Sequence, residues 1–308
     1  MRDDTAGDPI SGLKWTHKTP AKLSQALRRQ GFRVGRTTVR RLLRERGYAL
    51  RVNRKCLGHR HDPHRDRQMR YIARQRRAFL TAGAPVISVD TKKKELVGNF
   101  RNAGRTWRRT PLEVLATDFP SDADGKAIPY GVYDLQHNTG YVAVGTSHET
   151  AEFAVATIRA WWHHLGRRRY GGHHPLLILA DGGGANSDRS WRWKAGLQAL
   201  ADEFTLPITV LHYPPGASKW NPIEHRMFSP ISQNWAGQPL VSYEAILKFI
   251  RTTKTTSGFR CRASLDQTDY ETGLKMTALE IAHINLVPHR SFPTWNYTIK
   301  PHPRVRNK

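Results

Sequence analysis

An α/β fold with a strongly basic helical front is predicted by three observations. Short apolar runs, Val86-Ile87-Ser88-Val89, Leu176-Leu177-Ile178-Leu179-Ala180 and Ile208-Thr209-Val210-Leu211, are separated by longer segments with helical apolar spacing. Two of the runs give out at a carboxylate, Asp90 and Asp181, and the third leads through Tyr213-Pro214-Pro215-Gly216 to a helix start that carries Glu224. The chain has 308 residues, 38% of them hydrophobic, enough to bury the core of one large domain or two of ordinary size.

The net charge of +25 belongs with a polyanion such as a nucleic acid. A membrane is the rival partner. No apolar run approaches the length of a transmembrane helix, and Met1-Arg2-Asp3-Asp4 opens no apolar signal segment. Cys56 and Cys261 are too few for a disulfide framework, so a reducing cytoplasm is expected. The charge is uneven: residues 1–80 hold 22 Lys and Arg against 6 Asp and Glu, a net of +16, and the remaining residues carry +9.

Taken in order, Thr19-Pro20 opens a helix through Leu23, Ala26 and Leu27 that ends near Gly31. A short glycine-bounded link leads to a second helix, capped by Thr37 or Thr38, with Val39, Leu42 and Leu43 inward. Two short helices about such a turn make a helix-turn-helix, and its outward Arg36, Arg40, Arg41 and Arg44 would meet phosphates or guanine edges. The plainer reading is a solvated basic face, and the charge bias favours DNA over it. Residues 1–60 are assigned to this region. Cys56, His59, His61 and His64 match no zinc-ligand spacing and are set aside as basic linker. A linker helix from Pro63 to Leu80, within 61–85, leads into the first strand.

After Asp90, residues 92–127 have no clear period and read as an insertion. Ile128 to Leu135 and Tyr141 to Val144 about His137-Asn138-Thr139-Gly140 make a β-hairpin, with Asp134 as a turn cap. Glu149 to Leu165 and about Ser187 to Phe204 are helical. Residues 86–240 are assigned to the core and 241–308 to a C-terminal helical region, with helices at Tyr243–Ile250 and Lys275–Ile284 and a basic tail at Arg304, Arg306 and Lys308.

In an open α/β sheet the crevice at the carboxyl ends of parallel strands binds ligands, so Asp90, Asp181 and Glu224 would converge there. Clustered carboxylates repel one another unless a cation lies between them, and hard divalent ions with oxygen ligands meet that need. On its own stretch Glu224 reads first as a capping-box glutamate, three residues after the N-cap Asn221, and it is Asp90 and Asp181 that turn the reading toward a ligand. Gly182-Gly183-Gly184 lacks the Lys-Ser/Thr of a nucleotide P-loop; it is either a plain flexible turn or a place of close backbone approach.

The order Ser88-Val89-Asp90-Thr91-Lys92-Lys93-Lys94-Glu95, Ala180-Asp181-Gly182-Gly183-Gly184 and Asn221-Pro222-Ile223-Glu224-His225 resembles the DDE transposases of bacterial insertion sequences, specifically the ISAzo type within the mariner-like superfamily. The resemblance runs from about Pro20 to Ile299. It implies an RNase H-like catalytic core, a mixed five-stranded sheet flanked by helices. It further implies DNA strand cleavage and strand transfer at the inverted repeats of the chain's own element. Asp90, Asp181 and Glu224 would hold two Mg²⁺ or Mn²⁺ ions for in-line phosphoryl transfer. Lys92, Lys93, Lys94 and Lys219, near these residues in sequence, would hold the DNA backbone. A homodimer or higher oligomer on double-stranded DNA and a nucleoid-associated place in the bacterial cytoplasm follow from the same resemblance. A nuclease that does not join strands, and a DNA-binding regulator with an inactive core, are the alternatives. The family usually carries a longer front, so a truncated N-terminus is expected, and Pro230 is expected to kink or end the helix that Glu224 begins.

Overall fold

The computed structural model describes residues 18–51, 63–172 and 174–303, together with the backbone of 5–7 and 14–16; Ser218 is described by its backbone. The chain divides into two compact units, Met1–His59 and Arg60–Lys308. Cys56, His59 and His61 of the set-aside cluster, and the basic tail, lie outside the described residues.

In the first unit, β1 (Thr5–Gly7) pairs antiparallel with β2 (Lys14–Thr16). Helix α1 (Pro20–Arg29) starts with Thr19 Oγ1 accepting the Lys22 N–H at 3.3 Å and proline in its first turn. Helix α2 (Arg36–Glu45) follows after a link held by Ser24 Oγ donating to the Val34 carbonyl at 2.6 Å. Leu23 and Val39 are buried, as expected of a helix pair. Two details differ. The N-cap of α2 is the extended Gly35, so Thr37 and Thr38 lie inside the first turn, and Leu42 is 41% exposed rather than inward.

The second unit is a mixed sheet covered on both faces. Its strands are β3 (Val86–Thr91), β4 (Glu95–Val97), β5 (Gly125–Asp134), β6 (Thr139–Gly145), β7 (Leu176–Ala180), β8 (Ile208–His212), β9 (Arg260–Asp266), β10 (Leu286–Pro288) and β11 (Asn296–Ile299). The order is β10-β11-β8-β7-β3-β5-β6-β9, with β4 paired to the start of β5. Within it, β6-β5-β3-β7-β8 is the five-stranded core of an RNase H-like fold: β3, β7 and β8 are parallel and β5 runs against β3. Strand β7 is wholly apolar because both its faces are buried.

One face is covered by α4 (Ala151–Trp161), capped by Thr150, and α6 (Trp191–Phe204), capped by Ser190. Phe153, Ile158, Trp161, Trp193 and Leu197 pack there on Val89, Tyr130 and Ile178. After α4 a π turn, Trp162–Gly166, leads into the short α5 (Arg167–Tyr170). The other face receives α3 (Arg65–Thr81), α7 (Ser229–Asn234) and α8 (Tyr243–Thr252). A last short helix, α9 (Ala278–Ala282), has the Thr277–Glu280 capping box.

Several expectations are corrected. Helix α3 is part of the core unit and no linker: Gln68 Nε2 donates to the His212 carbonyl at 2.8 Å and to Asn296 Oδ1 at 2.7 Å, joining α3 to β8 and β11. Residues 241–308 are not a helical region alone. They supply β9, parallel to β6 at one edge, and β10 and β11 at the other. The insertion contains β4, an edge strand on Gly125–Ala127. Pro230 does not end its helix: the chain passes through a π turn at Glu224–Phe228 and runs on into α7 with proline near its start, so the expected irregularity takes the form of the π turn. Asp134 does cap its turn, accepting the Gln136 and His137 N–H groups at 3.1 and 3.2 Å.

Candidate active site

The parallel register sets Val86 to Val89 beside Leu177 to Ala180, so the next residues along the two strands, Asp90 and Asp181, stand side by side. Both follow the alternation onto the face that receives α3 and α7. The segment from Pro222 lies over β5 on that face. A side chain at Gly131, opposite Asp90, would strike Phe228 at 2.7 Å and Ile223 at 3.0 Å, so the glycine lets the Glu224 segment come this close.

The start of that segment is fixed from β3. Ser88 Oγ donates to Asn221 Oδ1 and accepts the Ile223 N–H at 3.2 Å, while Asn221 Nδ2 donates to the Val89 carbonyl at 3.3 Å. Ser88 and Asn221 are fully buried. Asn221 therefore spends its side chain on β3, and Glu224 faces Asp90 instead of closing a capping box on Asn221.

Asp90 is 9% exposed, and its Oδ1 accepts the Thr91 N–H at 2.8 Å. Burial first, then the neighbouring Asp181 and Glu224 carboxylates, push its pKa up to about 8 against the pull of that N–H. The Asp181 carboxyl is raised by burial, with Glu224 and Glu149 adding to it and the Gly183 N–H opposing. Asp181 Oδ1 is held by Asn186 Nδ2 at 3.2 Å, and Asn186 is itself fixed by the Tyr130 hydroxyl at 3.0 Å. The glycines after Asp181 fold over it; Gly184 has φ +60 and Glu149 Oε1 lies 2.8 Å from where its Cβ would be.

Behind Asp181 lies a buried chain invisible in the sequence motifs. Trp193 Nε1 donates to the Tyr297 hydroxyl at 3.1 Å, the hydroxyl lies 3.3 Å from His212 Nε2, and His212 Nδ1 meets the Asp181 carbonyl at 2.9 Å. Burial lowers the His212 pKa to about 4. The ring is therefore neutral, with its proton on Nδ1, because a carbonyl only accepts. Glu149, read from the sequence as no more than a helix start, is a fourth carboxylate here.

Among the described residues no group of three or more His, Cys, Asp or Glu side chains is set to hold a metal ion as it stands. Asp181 Oδ1 accepts from Asn186 Nδ2 and from the Gly183 N–H. The donor set nonetheless fits a hard divalent ion. The three carboxylates offer oxygen alone, which is the donor chemistry such an ion prefers.

The lysines separate. Lys92 is 7% exposed, pairs with Glu95 at 2.9 Å and lies 4.4 Å over the Trp235 ring, in the wall of the cavity that opens at Glu224. Lys94 pairs with Glu149 at 2.8 Å. Lys93 and Lys219 are exposed and line a cavity of about 760 Å³ that opens at Glu224. In the first unit Arg36, Arg40, Arg41 and Arg44 are all exposed, Arg41 pairing with Glu45. Among the described residues no helix is long and apolar enough to cross a membrane.

Residues 1–301 match the family model described as the Rhodopirellula transposase DDE domain. A search of curated proteins finds no match. Among solved structures the chain is similar to the Mos1 mariner paired-end complex with Mn, at TM-score 0.47 and 18% identity over 75% of this chain and 65% of that one. It is similar also to the Mos1 strand transfer complex, at TM-score 0.45 and 18% identity over 75% and 64%. The chain thus spans just under two thirds of the length of the Mos1 chains.

Proposed function

This chain belongs to the transposase DDE-domain family that matches its residues 1–301, and we propose that it cleaves and joins DNA strands at the ends of its own element. The observation that carries the reading is the parallel register that sets Asp90 and Asp181 side by side at the carboxyl ends of β3 and β7, with the Glu224 segment clamped to β3 through Ser88 and Asn221. Nothing in the packing of a sheet requires three carboxylates there, and their repulsion costs stability unless a cation offsets it.

Asp90, Asp181 and Glu224 would hold two divalent ions, Mg²⁺ or Mn²⁺, which supply Lewis acidity for an in-line displacement at phosphorus. The chain's own part is placement. Asp90 and Asp181 are fixed by the sheet, Glu224 by the Ser88–Asn221 clamp, and the neutral His212 holds the Asp181 backbone without adding charge. Lys93 and Lys219 would hold phosphates beside Glu224, and Arg36, Arg40, Arg41 and Arg44 would contact the double-stranded repeat. The natural assembly is a homodimer or higher oligomer on DNA in the cytoplasm.

The test is a reaction on a plasmid carrying the element's inverted repeats with Mg²⁺ supplied. Cut ends joined to a second DNA support the proposal. Cuts without joining would reduce the protein to a nuclease, and neither product, with DNA still bound, would make it a DNA-binding regulator.

A further inference from the structure

The segment 98–124 between β4 and β5 is anchored on the far end of the helix that begins near Glu224. The Gly98 N–H donates to the Leu240 carbonyl at 2.8 Å, the Gly237 N–H to the Ala103 carbonyl at 2.9 Å, and Asn102 Nδ2 to the Trp235 carbonyl at 3.1 Å. Gly104, at φ +122, is pressed so closely on Ala236 and Gly237 that no side chain fits. Between this segment and Gly237–Pro239 lies a cavity of about 500 Å³. Arg101, Arg105, Arg108 and Arg109 line it, and no carboxylate does. Asn102 lines both this cavity and the one that opens at Glu224, so the two adjoin. Trp107, which follows the lining residues Arg105 and Thr106 in the chain and does not itself line the cavity, has a fully exposed indole.

We infer that this arginine shelf is a second DNA-binding site, one that holds an unpaired strand leaving the carboxylate pocket and stacks one of its bases on Trp107. The chemistry is particular. A groove with four guanidinium groups and no opposing carboxylate attracts a polyanion, and the exposed indole of Trp107, on the same stretch of chain outside the groove, offers a π-face to a base that is free of its partner. A base-paired duplex hides those faces, so the shelf selects a single strand over a duplex. The inference rests on the DNA-transposase reading for the origin of the strand, but binding at the shelf needs neither metal nor the three carboxylates.

The full-length chain is mixed, in EDTA, with a single-stranded oligothymidylate carrying 5-iodouracil, irradiated, and the cross-linked peptide identified by mass spectrometry. The expected result is a principal cross-link at Trp107. It should fall about tenfold in Arg105→Ala/Arg109→Ala, as two phosphate contacts are lost, while the melting temperature of these exposed variants is unchanged. A blunt duplex carrying the same label should give no Trp107 product. Cross-links elsewhere but none at Trp107, or equal Trp107 yield from the duplex, overturns the inference. Because the assay contains no divalent metal, loss of cleavage in other experiments leaves its outcome intact.

Discussion

Ser88 Oγ hydrogen-bonds Asn221 Oδ1 across 133 residues of chain, and the same oxygen accepts the Ile223 N–H. One buried hydroxyl thus ties the strand that bears Asp90 to the helix start that bears Glu224. Ser88→Ala removes both bonds and leaves a buried amide oxygen and a buried N–H without partners. The expected cost is about 2 kcal/mol in denaturant unfolding. Strand cleavage should fall further than the folded fraction does, because Glu224 loses its anchor. An unchanged unfolding midpoint would mean the clamp contributes nothing.

Gly131→Ala tests the same placement from the neighbouring strand. The added methyl meets Phe228 and Ile223, so the helix must move outward or the core must strain, at roughly 1–3 kcal/mol. Cleavage should drop with it. Substituting Gly172, around which nothing lies within 4 Å, tests backbone strain alone, since its φ is +75, and should leave cleavage intact.

The strands β3, β7 and β8 are legible because burial on both faces forces apolar runs, Asp90 and Asp181 because they end two of those runs, and Glu224 because it follows the Asn221-Pro222 helix start. Their mutual approach depends on register and on the depth of the Glu224 helix, which no spacing encodes. Ser88 was read only as one member of an apolar run, since its bond partner is far away in sequence. Lys92 was grouped with Lys93 and Lys94, though it points back into Glu95 and Trp235. Strand β9 was missed because its outward residues, Arg260 and Arg262, hid the alternation of Cys261, Ala263 and Leu265 on a sheet edge.

The Asp90 carboxyl gives a pH dependence. Its folded pKa, about 8, is above the unfolded value of 3.8, so its contribution to stability is full below 3.8 and is lost as pH rises through about 8. Asp90→Asn without metal should therefore stabilise the protein at about pH 8.5, by roughly 1 kcal/mol or a few degrees in Tm. Divalent ions bind the deprotonated carboxylates, so Mg²⁺ should raise the wild-type Tm more at about pH 8.5 than at about pH 5.5. A Mg²⁺ effect independent of pH would contradict this.

His212 has the opposite sign. Its folded pKa, about 4, lies below the unfolded 6.5, so its contribution is present above 6.5 and is lost as pH falls through about 4. Unfolding free energy should decline over that window, by at most about 3 kcal/mol from this group. Comparing pH-dependent denaturation of wild type and His212→Gln isolates it, since the variant lacks the titrating ring. Parallel pH profiles would show that the ring is not held neutral.

In the proposed reaction the Glu224 carboxylate acts by its charge beside Asp90 and Asp181. Glu224→Gln keeps the shape and removes the charge, and in the absence of metal it also relieves repulsion on Asp90. The measurement is Mg²⁺-dependent cleavage of DNA bearing the element's ends, made beside a thermal melt of the same preparation. The expected result is a melting temperature equal to or slightly above wild type, with cleavage abolished. Cleavage at the wild-type rate by a well-folded Glu224→Gln protein would contradict it.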